Sequence, residues 1–348
     1  MIAFTMKYKP FFKTIFSILV LFLTLTSTLF AQQNSDADKQ AKKLERNLKN
    51  DYFSFGLMVQ GMVDYQPKRV SGNNGFTVSK GRFKISGIFN DTFGYKLQAT
   101  ILKSPSLIDA NVYYKPTSHL TVKLGRFKSP FSYEYDTGAG SIPFVKRSTV
   151  VNQLDPKRQL GVQFQVYTPN RFLRLMGGFF NGDNNGGLKN ADNDLQYIGR
   201  LEANLSKSGN KKSAKLGINF SYEEKDWLSQ AGGIQAKRTL FGSYLIFAQN
   251  EFSFNGEFIY SWLNPVMGQN QNPYGYYANI GYSASKQSQF LLRWDSFTGD
   301  NLFTDTNSLI AGYNYSPTEF AKLKLNYVLP TEQAVGYSNF LVAFQISY

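Results

Sequence analysis

Asn339–Tyr348 reads NFLVAFQISY. Taken with a period of two, Phe340, Val342, Phe344, Ile346 and Tyr348 share one face, and Leu341, Ala343, Gln345 and Ser347 share the other. The first face is wholly apolar and closes the chain on an aromatic ring. As the edge of a soluble sheet this strand would offer a hydrophobic ladder to any passing chain. In a closed barrel whose outer wall meets lipid, the same stripe is buried and the edge disappears.

Working outward from that strand, alternation runs back to residue 51. Sixteen segments between 52 and 348 carry it. Leu160, Val162, Phe164 and Val166 alternate with Gln159, Gly161, Gln163 and Gln165; Leu216, Ile218, Phe220 and Tyr222 alternate with Lys215, Gly217, Asn219 and Ser221. Two segments, Phe172 to Phe180 and Leu240 to Ala248, are apolar on both faces and fit less well. Short connectors such as DTF, TS and PN alternate with long ones such as QPKRVSGNNG and GDNNGGLKNADN, with SPS as the exception. An even-numbered barrel with both termini in the periplasm predicts that alternation, whereas a sandwich or solenoid does not. The expected fold is therefore all-β: a transmembrane antiparallel β-barrel of about sixteen strands, wide enough for an aqueous lumen. The last strand also resembles the C-terminal assembly signal of outer-membrane barrels.

Composition agrees. Phe (31), Tyr (22) and Gly (29) are abundant and charged residues make up 18% of the 348, which excludes a disordered or coiled-coil chain. There is no cysteine and His119 is the sole histidine, so zinc, iron–sulfur and haem sites lack their ligands and no cofactor is expected. The net charge of +14 suits a nucleic acid, an anionic surface or small anions. The compartment selects among these.

Residues 1–31 begin with Lys7, Lys9 and Lys13 and no acid, continue through an apolar run from Thr14 to Phe30, and end at Ala31 before the polar QQNSDADKQ. That is the plan of a secretory signal peptide. An uncleaved anchor is the alternative, because the run is long and Leu29 departs from the small-residue rule. Residues 32–50 read as a polar periplasmic lead with a short helical stripe, and 51–348 as the barrel. Export to the outer membrane of a Gram-negative-type bacterium follows, with outer-membrane lipid as a partner and nucleic acid excluded.

The longest connector, KSPFSYEYDTGAGSIPFVKRSTVVNQLDPKR, is the third external loop. About thirty residues without strand periodicity in a compact domain point to function. Its apolar IPFV and small TGAGS runs predict a loop folded inward to form the constriction, with a surface lid as the alternative. With the apolar face toward lipid, parity puts Lys80, Arg82, Lys84, Lys96, Lys115, Lys123, Arg200, Lys215, Arg293, Lys322 and Lys324 on the lumen face, against Asp64, Asp109, Glu202, Glu223, Glu257 and Asp295. Such cation excess is how anion pores select. Lysines that merely hydrate the wall are the other reading.

The segments KLGRFKSPFSYE, VKRSTVVNQLDPKRQLGVQF and GGFFNGDN resemble the phosphate-selective porin O and P family, best between about Gly81 and Asn185. The resemblance implies sixteen-stranded homotrimers with an inward third loop, passing phosphate or similar small anions by passive diffusion. By motif match it implies anion-attracting roles for Arg126, Lys128, Lys146, Arg147, Lys157 and Arg158, beside Arg82, Lys84 and Lys123 from parity. Arg126 lies on the apolar parity of its strand, and lysine stands at many lumen positions. A lysine lacks the bidentate fork of arginine, so anion preference is the broader expectation and phosphate specificity the narrower.

Rival functions are a general porin for small hydrophilic solutes, an outer-membrane hydrolase and a structural barrel with a blocked lumen. G-x-S-x-G, H-E-x-x-H and Walker A runs are missing, and His119 sits in the short turn PTSH. The expectation is a channel without catalysis.

Overall fold

The computed structural model describes residues 49–50, 52–69, 71–102, 106–182, 189–190, 193–206, 212–226 and 235–348. The expected signal peptide and the helical stripe before residue 49 lie outside them. After a two-residue strand, Lys49–Asn50, the described residues form sixteen long strands. These are β1 Phe53–Tyr65, β2 Gly75–Ile88, β3 Phe93–Thr100, β4 Ser106–Thr117, β5 Leu120–Lys128 and β6 Arg158–Tyr167. There follow β7 Leu173–Phe180, β8 Gln196–Asn204, β9 Lys212–Asp226, β10 Gln235–Gln249 and β11 Phe252–Pro265. The last five are β12 Tyr274–Ser283, β13 Ser288–Thr298, β14 Thr306–Tyr315, β15 Ala321–Pro330 and β16 Asn339–Ser347. Each pairs antiparallel with its neighbours in sequence, and β16 returns to β1 with Phe344 opposite Gly61 and Ile346 opposite Val59. The barrel is closed.

The terminal stripe points where its parity puts it. Phe344 and Ile346 are about half exposed on the outer wall, while Leu341, Ala343 and Gln345 are buried inside. On β9, Leu216, Ile218 and Phe220 face out and Asn219 and Ser221 face in. Aromatic pairs ring both ends of the wall. Phe93 with Tyr114 and Phe290 with Tyr313 sit at the end bearing the short turns, and Tyr260 with Trp262 and Tyr274 at the other. Rings at these two heights anchor a barrel at the lipid–water boundaries.

Among the described strands the register shifts at three pairs, including β3–β4 between Gln98 and Ala99 and β4–β5 between Tyr114 and Thr117. The register of β1 against β2 shifts between Gln60 and Gly61, skipping Ser79. This bulge lets Phe76 and Val78 face outward while Lys80, Arg82 and Lys84 face inward. Without the extra residue, one of these two sets would lie on the wrong side of the wall.

The third loop, residues 129–157, occupies the barrel interior. It contains two short helices, α1 Tyr133–Asp136 and α2 Thr149–Leu154, capped by Ser132 and Ser148. Val150, Val151 and Leu154 are fully buried and share a core with Phe131, Leu240, Ile259, Tyr277 and Phe297. Full burial of such side chains is worth about 1.5–3 kcal/mol each. The loop is seated on the inner wall, and the IPFV run lies against it with Ile142, Phe144 and Val145 buried.

Candidate functional site: a constriction between the third loop and the β2–β5 wall

Polar anchors on the inner wall determine where the loop lies. Glu257 on β11 accepts hydrogen bonds from Ser132 Oγ (2.9 Å) and from the N–H groups of Tyr133 (3.0 Å) and Glu134 (3.2 Å). Asp295 on β13 accepts from Thr149 N at 3.1 Å. In this way the first N–H groups of both helices, which have no partner inside the helix, are satisfied by wall carboxylates. Glu134 in turn accepts from Ser148 N at 2.8 Å and pairs with Arg293, whose guanidinium lies 4.3 Å from the Phe144 ring centroid. Lys324 Nζ donates to Ile142 O (2.6 Å), Arg200 donates to Phe131 O (2.8 Å), and Arg238 pairs with Glu223.

Several lumen cations therefore hold the loop instead of facing the passage. Arg200, Arg293 and Lys324, which parity assigns to the lumen, are about 1% exposed or less.

Between the loop and the opposite wall remains a cavity of about 350 Å³. Arg82, Lys84, Lys96, Lys123, Lys128 and Arg158 line it, against the carboxylates of Asp109 and Asp136. Asp109 lies between Lys96 Nζ (2.7 Å) and Arg158 Nε (2.6 Å), and Asp136 reaches Arg200 at 3.2 Å. Other cations bond to backbone carbonyls. Lys128 Nζ donates to Asp136 O and Thr137 O, both at 2.8 Å; Arg147 donates to Thr137 O (3.0 Å) and Glu134 O (3.2 Å); Lys80 donates to Ala139 O (3.1 Å). A carbonyl orients a cation without cancelling its charge. These bonds pin the loop beside the cavity.

Inside the loop, burial pushes the Asp155 carboxyl up to about 6, against the N–H groups of Lys157 and Ser132 that donate to it. Burial likewise raises the Tyr135 hydroxyl.

The expected site residues divide into groups. Arg82, Lys84, Lys123, Lys128 and Arg158 come together around the cavity, and Arg147 stands behind them on the loop. Lys146 does not join them: its side chain is 52% exposed and pairs with Asp64 at 2.9 Å. Lys157 has the left-handed φ of 63° at the loop exit and does not line the cavity. Arg126 is placed apart from that group. Its register partners are Ala110 and Leu160, so it follows the parity opposite to Lys123 and lies outside the lining. Motif matching missed Tyr135, whose ring lies within 6.0 Å of three cations, and Glu134, which holds Arg293.

Gly138, Ala139 and Gly140 form the loop's edge of the cavity. A Cβ on Gly138 would have Ser141 Oγ, 3.6 Å away, as its nearest neighbour, so the position opens into space. Gly138→Trp is expected to fold normally and to cut single-channel conductance severalfold; unchanged conductance would place the passage elsewhere.

Comparison with known proteins follows the same architecture. A family model described as phosphate-selective porin O and P matches residues 53–336. The anion-selective porin from Comamonas acidovorans superposes with a TM-score of 0.63 at 12% identity, covering 85% of this chain and 99% of that one. In-vitro folded OmpT of Vibrio cholerae gives 0.61 at 11% (86% and 99%), and Salmonella typhi OmpF complexed with daunomycin gives 0.60 at 10% (85% and 97%). No curated protein sequence matches significantly. At these identities the solved structures speak for the fold alone.

Proposed function

The chain belongs to the phosphate-selective porin O and P family, and from that premise we propose that small anions diffuse passively past the β2–β5 wall, with Arg82, Lys84, Lys96, Lys123, Lys128 and Arg158 as the attracting charges. The carrying observation is the residue balance of the constriction, six basic side chains to two carboxylates, with Lys128 held by the carbonyls of Asp136 and Thr137. Each cation lowers the cost of admitting an anion and raises it for a cation. Graded, partly shared charges suit conduction, since a millimolar site costs only about 4.1 kcal/mol to leave.

The wider reading has residues 1–31 exporting the chain as a signal peptide and 51–348 working in the outer membrane as a homotrimer with no bond chemistry. The family supports the trimer and the channel; the basic n-region and apolar run support export. A general, weakly selective porin is the second reading. It is favoured by Asp109, which offsets both Lys96 and Arg158.

The test is the reversal potential of the purified protein in a planar bilayer under a KCl gradient, followed by phosphate titration of the chloride current. An anion-signed potential with block at millimolar phosphate or below is expected. A potential near zero without block would leave the general porin, and no conductance would remove the channel.

A further inference from the structure

Among the described residues, Tyr135 on α1 is the ring shared by three cations, Lys128 and Arg158 of the cavity lining and Arg147 behind it. Its centroid lies 5.0 Å from Arg147 Cζ, 5.7 Å from Lys128 Nζ and 6.0 Å from Arg158 Cζ, and Arg158 Nη1 reaches its hydroxyl at 3.4 Å. Three like charges around one point repel one another, and something must offset that repulsion. A carboxylate would do so by cancelling one charge, as Asp109 does for Lys96 and Arg158. An aromatic ring does it differently: its quadrupole attracts cations while it carries no net charge.

We propose that Tyr135 is the positioning residue of the anion site, gathering Lys128, Arg147 and Arg158 into one cluster without reducing the positive charge offered to a permeating anion. The arrangement reaches the ring from three separate places: Lys128 ends β5, Arg158 begins β6, and Arg147 lies in the loop ahead of α2. The carbonyls of Glu134, Asp136 and Thr137 fix the cationic heads of Arg147 and Lys128 from behind. All three cationic heads lie within 6.0 Å of the ring's centroid. Tyr135 touches no permeant ion in this role; it acts through the cations.

The inference rests on the anion-porin reading, so the experiment separates the two. Tyr135→Phe and a variant with pentafluorophenylalanine at position 135 keep the ring's shape and packing, while fluorination reverses the sign of its quadrupole. Half-block of the chloride current by inorganic phosphate is measured for each in a planar bilayer, with the KCl reversal potential alongside. Tyr135→Phe should stay within about twofold of the parent, and the fluorinated ring should need about tenfold more phosphate, the size of one to two lost cation–π contacts. The reversal potential should keep its anion sign in both, because no formal charge changes. Equal half-block for the two rings, or a loss in Tyr135→Phe as large as in the fluorinated variant, overturns the role of the ring. A parent channel that phosphate does not block overturns the underlying reading and the inference with it.

Discussion

Arg293→Leu is expected to release the third loop while leaving the barrel folded, giving a larger and noisier single-channel conductance and a loop open to protease. Arg293 is fully buried, pairs with Glu134, donates to Asn279 Oδ1 at 2.7 Å and to Lys146 O at 3.4 Å, and lies over the rings of Phe144 and Tyr277. Its removal takes the ion-pair partner from the buried Glu134 carboxylate and leaves the Ser148 N–H donating to it. Breaking one partner out of a buried ion pair costs about 3–5 kcal/mol. That is comparable with the burial of one or two of the apolar anchors of α2, so the loop shifts. The sixteen-strand ladder does not depend on it. Adding Glu134→Gln should recover part of the loop's protection, since the stranded charge is gone. Protease resistance and conductance like the parent's would show that the loop is held by its apolar face alone.

The second large effect concerns selectivity. Replacing Arg82, Lys84 and Lys123 together by glutamine should bring the KCl reversal potential toward zero and weaken phosphate block by on the order of 100-fold, given about 1 kcal/mol per charge at roughly 8 Å and an effective dielectric of about 40, between a protein surface and bulk water. Salt should shrink the difference, because the cavity is open to electrolyte. Lys146→Gln is the internal comparison. Lys146 is half exposed and paired with Asp64 away from the lining, so its loss should change block less than about twofold, in the range of a surface ion pair. An equal response from Lys146→Gln and from the triple variant would mean that total charge, not the β2–β5 wall, attracts the anion.

Most of the barrel was legible because lipid and water impose opposite demands on alternate residues. NFLVAFQISY, the β9 run and the β6 run all declare their outer face in this way. The segments that fitted poorly, Phe172 to Phe180 and Leu240 to Ala248, failed for one physical reason. Phe180 and Leu240 face the lumen side but pack against the loop core, so their inner positions are apolar where water was expected. The same loop explains the misreading of charge. Arg200, Arg293 and Lys324 have lumen parity, yet each binds a loop carbonyl or carboxylate and is withdrawn from the passage. Parity reports which face of the wall a side chain occupies, and it cannot report what covers that face.

From the sequence alone come the barrel, its strand number, the position of the third loop and the surplus of cations, because these follow from two-residue periodicity, connector length and residue counts. The tertiary structure decides which cations serve the passage. Glu257, Asp295 and Arg293 draw the loop onto the β11–β13 wall. The cavity is left beside Arg82, Lys84, Lys96 and Lys123. Those contacts join residues more than a hundred positions apart, and no local pattern encodes them. Tyr135 shows the same limit at smaller scale: as one aromatic among 31 Phe and 22 Tyr it is indistinct, and it gains its place only when the loop folds inward and sets three cations around its ring.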